Sequence, residues 1–132
     1  MIKVVKAIII HKEEFLLQLR DKNKKISYPN HWSFFGGEVD KHESDEEALR
    51  RELLEEIAWQ PKDFLYYKSF VDYNTNAYVK LFIINFDNIS QNLILNEGQK
   101  MKWYRLEEIK KLLKTPSNMY HLLKDINIHK SF

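Results

Sequence analysis

Runs of β-branched and aromatic residues recur along the chain between turn signals, and helical periodicity surfaces in only a few stretches. Lys3 to Ile10 reads as a strand, with Phe15 to Arg20 as its hairpin partner across the turn Lys12-Glu13-Glu14. Asp21 to His31 is a polar loop containing Pro29. Trp32 to Phe34 is a short strand leading into Gly36-Gly37, which reads as a tight, exposed turn. Further on, Phe64 to Tyr73 and Tyr78 to Phe86 pattern as a second hairpin around Asn74-Thr75-Asn76. Lys102 to Arg105 adds a strand, followed by helices over Leu106 to Lys114 and Asn118 to Ile126. No repeat, linker or low-complexity tract divides these elements, so residues 1–132 are expected to form one domain.

The clearest helical signal lies in the middle of the chain. Ser44 followed by Glu47 is a capping-box pair, which predicts a helix from about Asp45 to Ile57, and Pro61 marks a stop beyond it. Asp45, Glu46 and Glu47 suit its first turn. At 100° per residue, Leu49, Leu53, Leu54 and Ile57 form one stripe and Glu52, Glu55 and Glu56 the adjoining one. Carboxylates at i, i+3 and i+4 repel by roughly a few tenths of a kcal/mol per pair, so such a ridge calls for a compensating charge. A hard divalent cation, which prefers oxygen ligands and is commonly shared with substrate phosphates, supplies one. Taken alone, the same residues also read as a solvated helix face stitched by Glu/Arg pairs.

Composition narrows the field without deciding it. The chain has 132 residues with 21 basic and 19 acidic side chains, a net charge of +2 that gives no global field toward nucleic acid or membrane. There is no cysteine, which excludes disulfides, thiolate metal sites and cysteine nucleophiles. The apolar run Ala7 to Ile10 is too short for a membrane span and is followed by charge, so a cytoplasmic location is the default expectation.

The segment GEVDKHESDEEALRRELLEEIAW, from Gly37 to Trp59, resembles the Nudix box, G-x5-E-x7-R-E-U-x-E-E-x-G-U with U a bulky aliphatic residue. Gly37, Glu43, Arg51, Glu52, Leu53, Glu55 and Glu56 all fall in register. Ala58 stands where the family has glycine and Trp59 where it has an aliphatic residue. This puts the helix exit in question, because alanine does not easily take the left-handed conformation glycine supplies there. Phe35 stands where a proline often precedes the two glycines.

The resemblance implies an α+β fold, a mixed β-sheet between helices in an α/β/α sandwich. It further implies a metal-dependent pyrophosphohydrolase cleaving a nucleoside diphosphate linked to a variable group. Glu52, Glu55 and Glu56 would bind Mg²⁺ or Mn²⁺, Glu56 foremost, with the carbonyl of Gly36 or Gly37 as a backbone ligand. Arg51 would orient the carboxylates, and Glu43 would pair with Arg51 or with water near the metal. Family members draw the catalytic base either from the box helix, here Glu56 or its neighbour Glu55, or from a distant loop, here Glu97 in Asn96-Glu97-Gly98-Gln99. By itself Glu97-Gly98 is also an ordinary turn.

Substrate contacts are read more thinly. Arg20 is a candidate for phosphate and equally a strand-end charge in water. Tyr28, Trp32, Phe70, Tyr73 and Tyr78 offer faces on which a base could stack, although most aromatics serve packing. His121 and His129 have no partner at ligand spacing, and the Lys124 to Lys130 tail forms no nucleic-acid patch. A small nucleotide such as a canonical or oxidised nucleoside triphosphate is the expected partner. A nucleotide sugar or ADP-ribose, an inactive nucleotide-binding module and an RNA 5′-end pyrophosphohydrolase are the alternatives. The last is disfavoured by the near-neutral charge. A homodimer is left open by the resemblance.

Overall fold

The computed structural model describes residues 1–86 and 92–126, so His129 and the part of the tail beyond Ile126 lie outside the described residues. The strands are β1 (Ile2–His11), β2 (Glu14–Leu19), β3 (Trp32–Ser33), β4 (Phe35–Glu38), β5 (Leu65–Asp72), β6 (Ala77–Asn85) and β7 (Lys100–Arg105). The helices are α1 (Asp45–Ile57), α2 (Leu106–Lys111) and α3 (Met119–Lys124). They build a 7-stranded sheet of order β3-β2-β1-β6-β5, with β4 paired to β1 and β7 to β2. The sheet is mixed, because β1 runs parallel to β6 and antiparallel to β2 and β4.

Strand alternation makes two cores from β1 alone. Ile8 and Ile10 pack with Ile109 of α2 and Met119 and Leu123 of α3, whereas Val5, Ala7 and Ile9 pack with Ala48, Leu49, Leu53 and Ile57 of α1. Helices therefore cover both faces, as the sandwich expectation requires. Among the described residues no helix is long and apolar enough to cross a membrane.

The sheet splits where the site will lie. β1 pairs with β2 at Ile10↔Phe15 and His11↔Glu14, while its opposite end, Val4 to Ala7, pairs with β4. β2 meanwhile runs on against β3 and β7, which opens a gap between β2 and β4.

Four readings need correction. Gly36 and Gly37 do not turn; they are ladder residues of β4 opposite Lys6 and Val5. Gly36 sits at φ +144°, and a Cβ there would fall 2.1 Å from the Val5 carbonyl oxygen, so glycine serves close strand approach. Leu54 is exposed, and Ala48 takes its place in the buried stripe of α1. The last helices are shorter than expected: α2 ends at Lys111 because Leu112 is extended and Lys114 is left-handed before Pro116, and α3 spans only Met119–Lys124. Finally, Ala58 does take the left-handed conformation, at φ 57° and ψ 39°, and its N–H caps the carbonyls of Leu53 and Leu54.

Candidate functional site

Helix α1 starts as the capping box dictates: Ser44 accepts from the Glu47 N–H and the Glu47 carboxylate accepts from the Ser44 N–H, at 3.1 Å each. The helix then packs on β4 and carries its glutamates to the split in the sheet. Glu56 is buried there. One carboxylate oxygen accepts from the Gly36 N–H at 3.0 Å and the other from Gln18 Nε2 at 3.3 Å. Burial raises its pKa to about 7; the charge of Lys6 and the Gly36 N–H oppose the rise, and the charges of Glu52 and Glu97 add to it. Gly36 thus presents its amide hydrogen to Glu56.

Glu52 packs against Gly37, where a Cβ would stand 2.4 Å from the carboxylate, so the missing side chain makes its room. Burial raises the Glu52 pKa, Arg51 opposes this, and Glu55 and Glu97 reinforce it. Arg51 gathers the neighbourhood. It donates to Glu43 from Nε at 2.7 Å and Nη2 at 2.9 Å, to Glu52 at 3.0 Å and to the Glu38 carbonyl at 3.0 Å, and its Nη1 lies 3.6 Å from Glu55. Glu43 also accepts from the Asp40 N–H, and these bonds, Arg51 first, hold its pKa at about 2. Its carboxylate is committed to the arginine, and Glu43 does not line the cleft.

The cleft itself has a volume near 890 Å³ and runs from Glu56 and Glu97 past Lys6 and Arg20 to Tyr28 and Asp72. Glu97 is held at its rim by the next residues: the Gln99 N–H donates to the Leu19 carbonyl, and Gln99 Nε2 donates to Arg20 O and Asn30 Oδ1, all at 2.8 Å. Arg20 points its Nε at the Ser27 carbonyl, 2.8 Å away. Tyr28 donates to Asp72 Oδ2 at 2.9 Å and accepts from Asn74.

Of the other aromatic candidates, Phe70 and Tyr73 line the cleft, whereas Trp32 and Tyr78 do not. Trp32 is core, edge-on to Tyr104. Lys6, Gln18 and Gln99 were not singled out from sequence. The signal for the first two was a polar residue interrupting an apolar strand, Val4-Val5-Lys6-Ala7 and Leu16-Leu17-Gln18-Leu19.

Among the described residues no three carboxylate or imidazole groups converge as a closed cation site, because Glu56 is drawn to Gly36 and Gln18 while Glu52 and Glu55 are drawn to Arg51. The donor set nevertheless fits a hard cation. It is all carboxylate oxygen, and it contains a buried acid whose ionised form is opposed by burial and by two further carboxylates.

Comparison with known proteins agrees with this geometry. A family model described as NUDIX domain matches residues 2–126. The nucleoside triphosphatase NudI of Salmonella agona is 28% identical over 114 residues, which covers 76% of this chain and 80% of the relative. The MutT protein of Methanosarcina mazei superposes with a TM-score of 0.72 at 26% identity, covering 93% of this chain and 90% of that one. An Ap4A hydrolase of C. elegans superposes with a TM-score of 0.73 at 26% identity, covering 94% and 93%.

Proposed function

The chain belongs to the Nudix hydrolase family, and from that premise we propose that it hydrolyses a nucleoside triphosphate to the monophosphate and pyrophosphate, with Mg²⁺ as its cation. The observation that carries this reading is the buried Glu56, gripped at both oxygens by Gly36 and Gln18, in a cleft that also holds Lys6, Arg20 and Glu97. Glu52, Glu55 and Glu56 would hold the cation, with a carbonyl of Gly36 or Gly37 beside them. A divalent cation held by them would neutralise phosphate oxygens and ease departure of the leaving group.

The remaining roles fall to the chain's own side chains. Arg51, locked by Glu43, keeps Glu52 and Glu55 in place. Arg20 supplies charge to the phosphates. Glu97 takes the proton of the attacking water, and Tyr28 borders the far end where the nucleoside would lie. The triphosphate branch is favoured by the likeness to a nucleoside triphosphatase; the Ap4A hydrolase likeness makes dinucleoside polyphosphates the branch to test beside it.

The experiment is phosphate release, coupled separately to pyrophosphatase and to phosphatase. The panel spans canonical and oxidised nucleoside triphosphates, ADP-ribose, nucleotide sugars and dinucleoside polyphosphates, with Mg²⁺ and then Mn²⁺. Pyrophosphate formed from a triphosphate only when metal is present is the expected result. Silence across the panel by a chain that still binds metal would overturn the substrate assignment.

A further inference from the structure

Lys6 interrupts the apolar run of β1 and stands half-buried at the split in the sheet, opposite Gly36. Glycine makes the space, since a Cβ on residue 36 would come within 3.0 Å of Lys6 Cδ. The side chain lines the same cleft as Glu56, Gln18 and Arg20, and its Nζ donates to the Phe34 carbonyl at 3.3 Å. An ammonium carries three donors, so one long bond leaves most of its capacity toward the cleft.

Glu56 and then Glu52 are the carboxylates whose charges favour the ammonium against its burial. Arg20, also in the cleft, has its Nε engaged by Ser27, whereas a lysine is a compact point charge on a flexible stem and can redirect itself.

We propose that Lys6 is the cleft's own counter-cation: it balances Glu56 and Glu52 in the metal-free protein, opposes entry of a divalent cation, and turns its ammonium to the substrate's phosphates once those carboxylates are neutralised. This rests on the metal-dependent reading above. It assigns Lys6 a sign that a merely structural lysine lacks, because removing it strengthens metal binding while weakening substrate binding.

The test is Mn²⁺ binding to the full chain without nucleotide, followed by the paramagnetic resonance of free Mn²⁺, for wild type, Lys6→Met and Lys6→Arg. KM and kcat for the preferred triphosphate at saturating Mg²⁺ are measured alongside. Lys6→Met is expected to bind Mn²⁺ about three- to tenfold more tightly as the repelling charge is removed. Its KM rises about tenfold or more while kcat changes less, and Lys6→Arg keeps the wild-type Mn²⁺ affinity. Should the methionine variant not fold, Lys6→Gln is read in the same way. Equal or weaker Mn²⁺ binding by the folded neutral variant overturns the proposal while leaving the enzyme reading intact. Absence of Mn²⁺ binding by wild type overturns both.

Discussion

Arg51 grips Glu43 through two parallel bonds, Nε and Nη2 each meeting one carboxylate oxygen at 2.7 and 2.9 Å. Such a fork fixes orientation as well as charge, so on the proposed function Glu43 would act on the glutamate ridge through the arginine. Glu43→Gln is expected to lower kcat by about 10- to 100-fold, the usual effect of losing a partner that orients ligands. The stability effect has a defined pH window. Glu43 is held at about 2 in the folded chain against an ordinary 4.5, so its contribution is complete above pH 4.5 and is lost as pH falls toward 2. The melting-temperature gap between wild type and Glu43→Gln should be constant at neutral pH and close below pH 4.5. A gap that stays open in acid would show that the pair is held by something other than the ionised carboxylate.

Glu56 behaves in the opposite sense. Its pKa rises from 4.5 to about 7, so between those values the folded metal-free chain holds the proton more tightly than the unfolded chain does; stability is greatest below 4.5 and falls until pH has passed 7. In chelator, wild type should therefore lose melting temperature between those limits, and Glu56→Gln should lack that fall. Mg²⁺ should stabilise wild type at pH 8 and leave the variant unmoved, since a ligand stabilises only the form that binds it. Turnover by the variant should fall by several orders of magnitude, and near-normal turnover would remove Glu56 from its assigned place.

Glu97 depends on its neighbour. Gln99 ties the loop to Leu19, Arg20 and Asn30, and Gly98 passes so close that a Cβ would lie 3.0 Å from the Leu19 carbonyl. If Glu97 accepts the proton of the attacking water, Glu97→Gln lowers kcat by about 100-fold or more with Mn²⁺ affinity retained. Gln99→Ala, which frees the loop but keeps the acid, should lose about tenfold. A few-fold effect for Glu97→Gln would mark Glu97 as a turn residue.

The two adjacent glycines should answer differently to the same substitution. Gly36→Ala sets a Cβ against the Val5 backbone at a φ that suits glycine, and should destabilise the fold by about 2–4 kcal/mol. At Gly37 the added carbon would meet the far end of Glu52, which can swing aside. Gly37→Ala should therefore stay folded and weaken Mn²⁺ binding by about tenfold. Chemical denaturation and metal titration on both variants separate the effects, and equal unfolding of the two would refute the distinction.

That contrast marks how far the sequence could be read. Helix α1 was legible to the residue, because the Ser44–Glu47 box, the acidic first turn and the glutamate ridge are all local. The glycines were legible as permissive backbone, but what approaches them, the Val5 carbonyl from β1 and the Glu52 carboxylate from α1, depends on pairing set by distant segments. Lys6 and Gln18 were visible only as polar breaks in apolar strands. Their meaning required the sheet to divide between β2 and β4 and bring both beside Glu56. Tyr28, in the polar loop, and Trp32, at the head of the next strand, were both offered as stacking faces, yet one borders the cleft and the other fills the core.

Ala58 offers a test that is independent of the chemistry. It ends α1 in the left-handed region, where a Cβ crowds the backbone at a cost of roughly 1–2 kcal/mol, and it does so because the chain beyond it is pinned. Trp59 is buried edge-on to Phe86 at 5.1 Å, and its backbone N–H donates to the Leu53 carbonyl at 3.4 Å. Burial of that indole outweighs the strain, so the helix exit keeps its course without glycine. Ala58→Gly relieves the crowding but gives the unfolded chain more freedom, worth roughly 0.5–1 kcal/mol against it. The net expectation is a gain of about 0.5–1 kcal/mol, read as a rise of a few degrees in melting temperature with kcat and KM unchanged. A fall in melting temperature would mean that residue 58 is held by its side chain's contacts and not by the tryptophan that follows it.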